Sequence, residues 1–471
     1  MTDRTHNLSL EQMDRDSVIH PFTNLHDYAS GALGDPRIVE TGQGIRITDQ
    51  KGRQYIDGFA GLYCVNVGYG RSEIAEAIYK QAKQLAYYHA YAAHSNEPTI
   101  RLSERILRRA PNNMQRIYYG MSGSDANETQ AKLVWYYNNV RGKPQKKKII
   151  ARHRGYHGGS VCSGSMTGLP VFHNAFDLPM DRIKHAATPH HYWGAQPGES
   201  ERDFSKRLAR ELEAQIESEG PETVGAFIGE PVLGTGGIIP PPEGYWQEIQ
   251  KVLDKYDVLL IADEVVCGFG RTGSYFGSDH YGMKPDLITI AKGLTSGYVP
   301  LSGAIVGEKV WNVLKQGSEQ YGPFSHGYTY SAHPVGAAAA IANLDIVDGE
   351  DLTGNARDTG GYLQQRMQQA FADHPLVGEV RGVGLLAALE FVGDRERKER
   401  FDPAHKVGAK AAAACLERGL IARALPHGDI LGFAPPLSIT RAEVDQVVDT
   451  ARQAVDAVTD QLSRDGLLKA A

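Results

Sequence analysis

A lysine stands where an apolar run stops. Leu287-Ile288-Thr289-Ile290-Ala291 ends at Lys292, and Gly293 comes next. Burial disfavours an ammonium, lowers its pKa and makes such a lysine a candidate Schiff-base nucleophile. A surface lysine leaving a strand has the same local sequence. Acids recur in the same position. Ala226-Phe227-Ile228-Gly229 runs into Glu230 and a Gly- and Pro-rich loop to Gly244, and Leu259-Leu260-Ile261-Ala262 runs into Asp263 and Glu264. Isolated acids at the ends of buried strands are costly unless paired. A helix cap accounts for one of them, but two at equivalent ends ask for more. Ile117-Tyr118-Tyr119 leads into Gly120-Met121-Ser122-Gly123-Ser124-Asp125-Ala126, a small-residue turn opening a helical stretch. Free N–H groups and a positive dipole end there suit a phosphate, although an ordinary βα turn has the same composition. Ile149-Ile150-Ala151 leads into Arg152-His153-Arg154-Gly155-Tyr156-His157-Gly158-Gly159. Tyr156 beside glycines offers a ring that either stacks on a planar group or packs in a core.

The pattern around these residues indicates the scaffold that carries them. From about 115 to 310, short apolar runs at 116–119, 148–151, 225–228, 258–261, 287–290 and 303–306 alternate with helical stretches. Several lack polar alternation, as strands buried on both faces do. The alternation predicts an α/β fold with a mostly parallel sheet between helices. Ligands of open α/β sheets bind beyond the carboxyl ends of the strands, so the turn, the aromatic, the acids and the lysine share one edge. A lysine for an aldehyde, an acid to keep a ring nitrogen protonated and a phosphate cup are the set that pyridoxal phosphate asks for.

The flanks read differently. Residues 1–35 form a polar arm. Ile45-Arg46-Ile47 and Tyr55-Ile56-Asp57 alternate about Asp49-Gln50-Lys51-Gly52 as a hairpin does. Residues 72–85 read as a helix with Ser72 as N-cap. Residues 377–393 look like strands. Residues 440–462 form an amphipathic helix opened by a Thr440/Glu443 capping box. The expected division is an arm and part of a small domain over 1–70, a large domain over 71–335 and a C-terminal small α+β domain over 336–471.

Composition narrows the class. The 471 residues carry 50 basic and 56 acidic side chains, a net charge of −6, which argues against a nucleic-acid partner. The one basic run, Lys146-Lys147-Lys148, enters Ile149-Ile150 and reads as a solvated approach to a strand. The four cysteines, at 64, 162, 267 and 415, form no C-x-x-C, so neither a metal site nor a disulfide framework is expected. No apolar stretch approaches the roughly 18 residues of a membrane span. The first thirty residues lack an apolar leader core. A cytoplasmic location without membrane partners is expected. Glycine is in excess, 52 residues or about 11% against an ordinary share near 7%, and clusters in loops after apolar runs.

The chain resembles class III pyridoxal-phosphate aminotransferases of fold type I, specifically the pyruvate-using ω-amine transaminases, over about residues 20–465. The resemblance rests on Asp57-Gly58 through Val67-Gly68-Tyr69-Gly70, Gly123-Ser124, Gly155-Tyr156-His157-Gly158, Glu230-Pro231-Val232, Ile261-Ala262-Asp263-Glu264-Val265, Ala291-Lys292-Gly293 and His326-Gly327-Tyr328-Thr329-Tyr330-Ser331. It implies a seven-stranded sheet in the large domain and a small domain built from both chain ends. It implies that Lys292 holds the cofactor covalently and shuttles the proton, that Asp263 pairs with the pyridinium nitrogen, and that Tyr156 and Val265 flank the ring. Gly123 and Ser124 would hold the phosphate, with His157 and Glu230 also at the cofactor. Thr329 would reach the neighbouring subunit's cofactor, which makes the protein a homodimer or a dimer of dimers with interfacial sites. Tyr63, Tyr91 and Tyr156 would line the substrate pocket, and Arg423 would bind the acceptor carboxylate and swing away for an uncharged amine. Many such relatives carry Trp in place of Tyr63, which leaves the preferred amine open. An amine donor and a keto acid, pyruvate first, are the expected substrates.

Three rivals stand beside this reading. A decarboxylase or aminomutase would use the same cofactor and fold. A nucleotide-binding dehydrogenase would need a G-x-G-x-x-G turn, which the residues after 119 lack. A catalytically silent relative would not need Lys292, Asp263 and Tyr156 together.

Overall fold

The computed structural model describes residues 8–111 and 113–468. Residues 1–7 of the expected arm lie outside the described residues. The remainder of the arm carries two short helices, Leu10–Ser17 and Leu25–Ala29. Strands β1 (Val39–Gln43), β2 (Arg46–Asp49) and β3 (Gln54–Asp57) come next. Strands β2 and β3 pair antiparallel with Ile47 opposite Tyr55, the hairpin expected from their alternation. After the short Ala60–Tyr63 helix, the Ser72–Gln84 helix starts with Arg71 in the cap position, so Ser72 is its first helical residue and not its N-cap. The Arg71 N–H is instead satisfied by the Tyr298 hydroxyl at 2.8 Å, and the guanidinium pairs with Glu350 at 2.6 Å.

The central sheet contains β4 (Met114–Gly120), β5 (Lys148–Arg152), β6 (Ile183–Ala186), β7 (Val224–Gly229), β8 (Leu259–Asp263), β9 (Leu287–Ile290) and β10 (Ser302–Gly307). Their spatial order is β4-β10-β9-β8-β7-β5-β6. Pairing is parallel from β9 to β6, while β10 runs antiparallel to both neighbours. Strands β7 to β10 are buried at every residue, which is why their sequences lack polar alternation. Strand β6 escapes an apolar-run reading because Ile183-Lys184-His185-Ala186 sits at the sheet edge and needs less burial.

The basic run before β5 is not a solvated approach. Lys146 is buried, and its ammonium donates to the carbonyls of Tyr256 (2.8 Å) and Pro221 (3.2 Å). Two carbonyl acceptors compensate the desolvation of the charge, and burial still pushes its pKa down. Lys147 likewise donates to the Trp135 carbonyl at 2.7 Å.

The last third supplies β11 (Val377–Val383), β12 (Leu386–Phe391), β13 (Leu420–Ile421), β14 (Arg423–Ala424) and β15 (Ile430–Phe433). Strands β11-β12-β15-β14 form an antiparallel sheet. Strand β13 pairs parallel with β3, Leu420 opposite Ile56, so both chain ends share one sheet. The Arg441–Arg464 helix has the Thr440/Glu443 capping box and buries Val444, Val447, Val448, Ala451, Val455, Val458 and Leu462. Each valine or leucine buried there contributes roughly 1.5–3 kcal/mol. Among the described residues no helix is long and apolar enough to cross a membrane.

Candidate active site

The parallel strands deliver their chemistry to one edge, as the sheet topology requires. Strand β9 ends at Ile290, and the chain turns sharply at Lys292, whose φ of +44° is left-handed. Non-glycine residues hold that conformation only where their surroundings over-determine it. A Cβ at Gly293 would strike the Asn66 side chain, so glycine here leaves room for Asn66 against the turn. The Lys292 ammonium has no hydrogen-bond or ion-pair partner among the described residues. Burial pushes its pKa below the ordinary lysine value, partly offset by Cys64 and Asp263.

Strand β8 ends in Asp263, which is buried. Its carboxylate accepts from three donors: Asn127 Nδ2 at 2.8 Å, His157 Nδ1 at 2.8 Å and the Val265 N–H at 3.1 Å. Asn127 and His157 both bind Oδ2, while Oδ1 receives only the Val265 N–H. A carboxylate oxygen has about two acceptor sites, so Oδ1 keeps capacity for one more donor. His157 comes from the loop after β5 and Asn127 from the Gly123–Val140 helix.

That helix begins beyond β4 with Ser122 as N-cap and Asp125 completing a capping box. Asp125 also accepts from the Met121 N–H at 2.8 Å. The N–H groups of Gly123 and Ser124 are left without partners among the described residues, at the positive end of an 18-residue helix. A Cβ on Gly123 would lie 3.0 Å from Val265 Cγ2, so glycine admits Val265 beside the helix end. The Ser124 hydroxyl accepts from the Gly159 N–H at 3.1 Å, tying this end to the Tyr156 loop. Free N–H groups for a phosphate, a free amine for an aldehyde and a carboxylate with one open acceptor site fit pyridoxal phosphate.

The wall above Lys292 is aromatic. Its ammonium lies 5.3 Å from the Tyr63 ring centroid, Tyr63 packs on Phe59 at 4.4 Å, and the Arg423 guanidinium lies 5.6 Å from the Phe59 ring. The Tyr63 hydroxyl is buried without a partner. Arg423 has no carboxylate or carbonyl partner among the described residues. On the other side Tyr156 meets Phe172 edge-on at 5.4 Å, and Phe172 meets Phe22 of the arm at 5.1 Å. Phe59, Phe22 and Phe172 were not legible as site residues, because single aromatics in loops carry no spacing signal.

The two remaining acids divide. Glu230 Oε1 accepts from the Gly234 N–H at 3.0 Å, and Oε2 lies 3.9 Å from Arg152 and 3.4 Å from the Tyr156 N–H. It ties the Tyr156 loop to the loop after β7, and burial pushes its pKa up. Glu264 is the helix cap anticipated as the plain alternative. Its carboxylate accepts from Gly277 at 2.9 Å and from Ser278 at the start of the Gly277–His280 helix, and burial pushes it up to about 7.

Tyr91 and Thr329 share a different place. Tyr91 is exposed and packs where a Cβ on Gly327 would lie. Thr329 is exposed, and its carbonyl accepts from the Tyr87 hydroxyl at 2.7 Å. His326 anchors this segment to the Gly123–Val140 helix through Thr129 and Lys132, both at 2.9 Å. Neither Tyr91 nor Thr329 touches the Lys292 group of its own chain among the contacts described.

His190, Glu379 and Glu390 bring three potential metal ligands within 4.8 Å of one another. The Arg381 guanidinium occupies that space, 2.6 Å from Glu379 and 2.8 Å from Glu390. The cluster is a buried charge network, which Arg154 joins through His190 at 2.9 Å.

Comparison with known proteins agrees with this geometry. The sequence pattern of the family described as aminotransferase class-III matches residues 28–455. A Halomonas elongata protein named diaminobutyrate–2-oxoglutarate transaminase is 63% identical over 460 residues, covering 97% of this chain and 98% of that protein. A Pseudomonas aeruginosa protein named putrescine–pyruvate aminotransferase is 43% identical over 448 residues, covering 95% of each. The solved structure of an ω-transaminase from Pseudomonas jessenii in complex with PMP superposes with a TM-score of 0.94 at 43% identity, over 97% of this chain and 99% of that one. With its lysine, aspartate and helix end at one edge of a seven-stranded sheet, the chain belongs to the class-III aminotransferases.

Proposed function

We propose that this pyridoxal-phosphate-dependent aminotransferase moves an amino group from an amine or ω-amino compound to pyruvate, giving alanine, in two half-reactions. The carrying observation is the pairing of one unpartnered amine, Lys292, with one unpartnered guanidinium, Arg423, across Tyr63 and Phe59. Bound pyridoxal phosphate supplies the electron withdrawal that makes the donor's Cα proton acidic. Lys292 holds the cofactor in the resting enzyme, takes the Cα proton of the donor on Nζ and returns one to the Cα of the acceptor. A lysine whose charge burial disfavours is suited to that work. With the cofactor bound, Asp263 would hold the proton on the ring nitrogen, and Tyr156 and Val265 would flank the ring, with His157 bracing Asp263 and Glu230 the Tyr156 loop. Gly123 and Ser124 would hold the phosphate with their N–H groups.

Arg423 binds the acceptor carboxylate. A monocarboxylate needs one such guanidinium, which favours pyruvate. A second acceptor, 2-oxoglutarate, is favoured by the name of the 63% identical relative. Thr329 and Tyr91, exposed on one face, serve the site of a partner subunit in a homodimer. The four cysteines are free thiols, which supports a reducing compartment, the cytoplasm.

The test is the visible absorption of the purified protein, recorded as candidate amines are added one at a time without acceptor. A yellow band that one donor bleaches and pyruvate restores supports the reading. Restoration by 2-oxoglutarate alone replaces the acceptor. Absence of any band after pyridoxal phosphate is added overturns the Lys292 assignment.

A further inference from the structure

Behind Asp263 lies a second, fully buried layer of polar groups. Asn127 is fully buried, and its amide has three neighbours. Nδ2 donates to Asp263 Oδ2 at 2.8 Å and to the His157 carbonyl at 2.7 Å, while Oδ1 accepts from the Thr289 hydroxyl at 2.8 Å. Two of these partners can only accept and the third donates. The amide therefore has one orientation: turned over, its oxygen would face two acceptors and its NH2 would lose both bonds. Thr289 is itself fully buried and sits directly across the parallel pair from Asp263, β9 beside β8. Three residues later the same strand delivers Lys292. The Thr289 hydroxyl makes no other hydrogen bond among the described residues.

We propose that Thr289 and Asn127 are positioning residues that set where the proton between Asp263 and the cofactor's ring nitrogen resides, an inference that rests on the function proposed above. A buried carboxylate becomes a weaker base as it accepts more hydrogen bonds. Asn127 supplies one of the three donors to Asp263 and orients a second by holding the His157 carbonyl. Thr289 donates to Asn127 Oδ1 and so polarises the amide whose NH2 meets Asp263. With the relay intact three donors share the negative charge of the Asp263 carboxylate, and the proton stays on the ring nitrogen. With Asn127 removed Oδ1 carries more of that charge, the proton sits closer to it, and the ring withdraws electrons less strongly.

The readout is the pH titration of the visible absorption of the holoenzyme, which reports the electronic state of bound pyridoxal phosphate without turnover. In Asn127→Ala the transition is expected to move to higher pH by about one unit, the scale of one hydrogen bond to a charged group. The isosteric Thr289→Val is expected to move it in the same direction by less, and to add nothing in the Asn127→Ala background. Both variants should still bind pyridoxal phosphate and show the band. Curves for both single variants that superimpose on wild type overturn the relay. So does a Thr289→Val shift retained in full without Asn127. If Asn127→Ala does not fold, Thr289→Val alone decides, through the presence or absence of its shift. A wild-type protein without any band indicts the Lys292 reading and not the relay.

Discussion

The Lys292 ammonium lies 5.3 Å from the centroid of the Tyr63 ring, and the Tyr63 hydroxyl is buried with no partner. Tyr63 holds a left-handed φ of +61° and is 1% exposed. An unpaired buried hydroxyl costs about 1 kcal/mol or more. Tyr63→Phe should therefore raise the thermal midpoint of the protein. Because the ring stays, the cofactor band should persist while the preferred amine changes. A lowered midpoint would mean that the hydroxyl has a partner in the working enzyme.

Lys292→Ala should abolish turnover, with a loss of at least about a thousandfold, since it removes the proposed proton carrier. Circular dichroism should show an unchanged fold. Retention of the wild-type rate would refute the assignment.

Asp263→Asn keeps the shape of the side chain and removes its charge. Its amide cannot accept from Asn127, His157 and Val265 as a carboxylate does. Turnover should fall about a hundredfold or more, whereas pyridoxal phosphate should still bind, since the proposed function gives Lys292 and the helix end a share in holding it. Single-turnover absorbance in the amine half-reaction measures the loss.

Arg423→Ala should raise KM for the keto acid about ten- to a hundredfold, the range of a charge-assisted hydrogen bond. The half-reaction with an uncharged amine should change little. Equal damage to both half-reactions would point to a structural role over Phe59.

His326 carries a pH dependence. Burial and the adjacent Lys132 push its pKa from about 6.5 down to about 4. A histidine with a depressed folded pKa contributes stability above its unfolded value, and that stability is lost as pH falls from about 6.5 toward 4. The thermal midpoint of wild type should thus fall more steeply than that of His326→Asn over this window. Parallel curves would show that His326 is not the titrating group.

Much of the site is written locally. Lys292, Asp263 and the Gly123-Ser124 turn each succeed an apolar run, and burial of those runs on both sheet faces sends the next residues to the carboxyl edge. The Thr440/Glu443 capping box and the valine stripe after it likewise act within a few turns of one helix. Where local sequence misleads, a distant neighbour is the reason. Lys146 is buried because the carbonyls of Pro221 and Tyr256 converge on it, and Ser72 yields the cap to Arg71 because Tyr298 and Glu350 hold that arginine.

Three properties are already present in the linear chain: which residues end buried strands, that the sheet is mostly parallel, and which side chains share its carboxyl edge. Periodicity and strand-end placement are short-range, so one chain suffices to read them. Folding in three dimensions settles the rest. Glu264 caps a helix while Asp263 faces the site, Asn127 and Thr289 stand behind Asp263, and Arg423 comes over Phe59. Those outcomes depend on side chains meeting across tens to hundreds of residues, where no spacing in the sequence records which donor will find which acceptor.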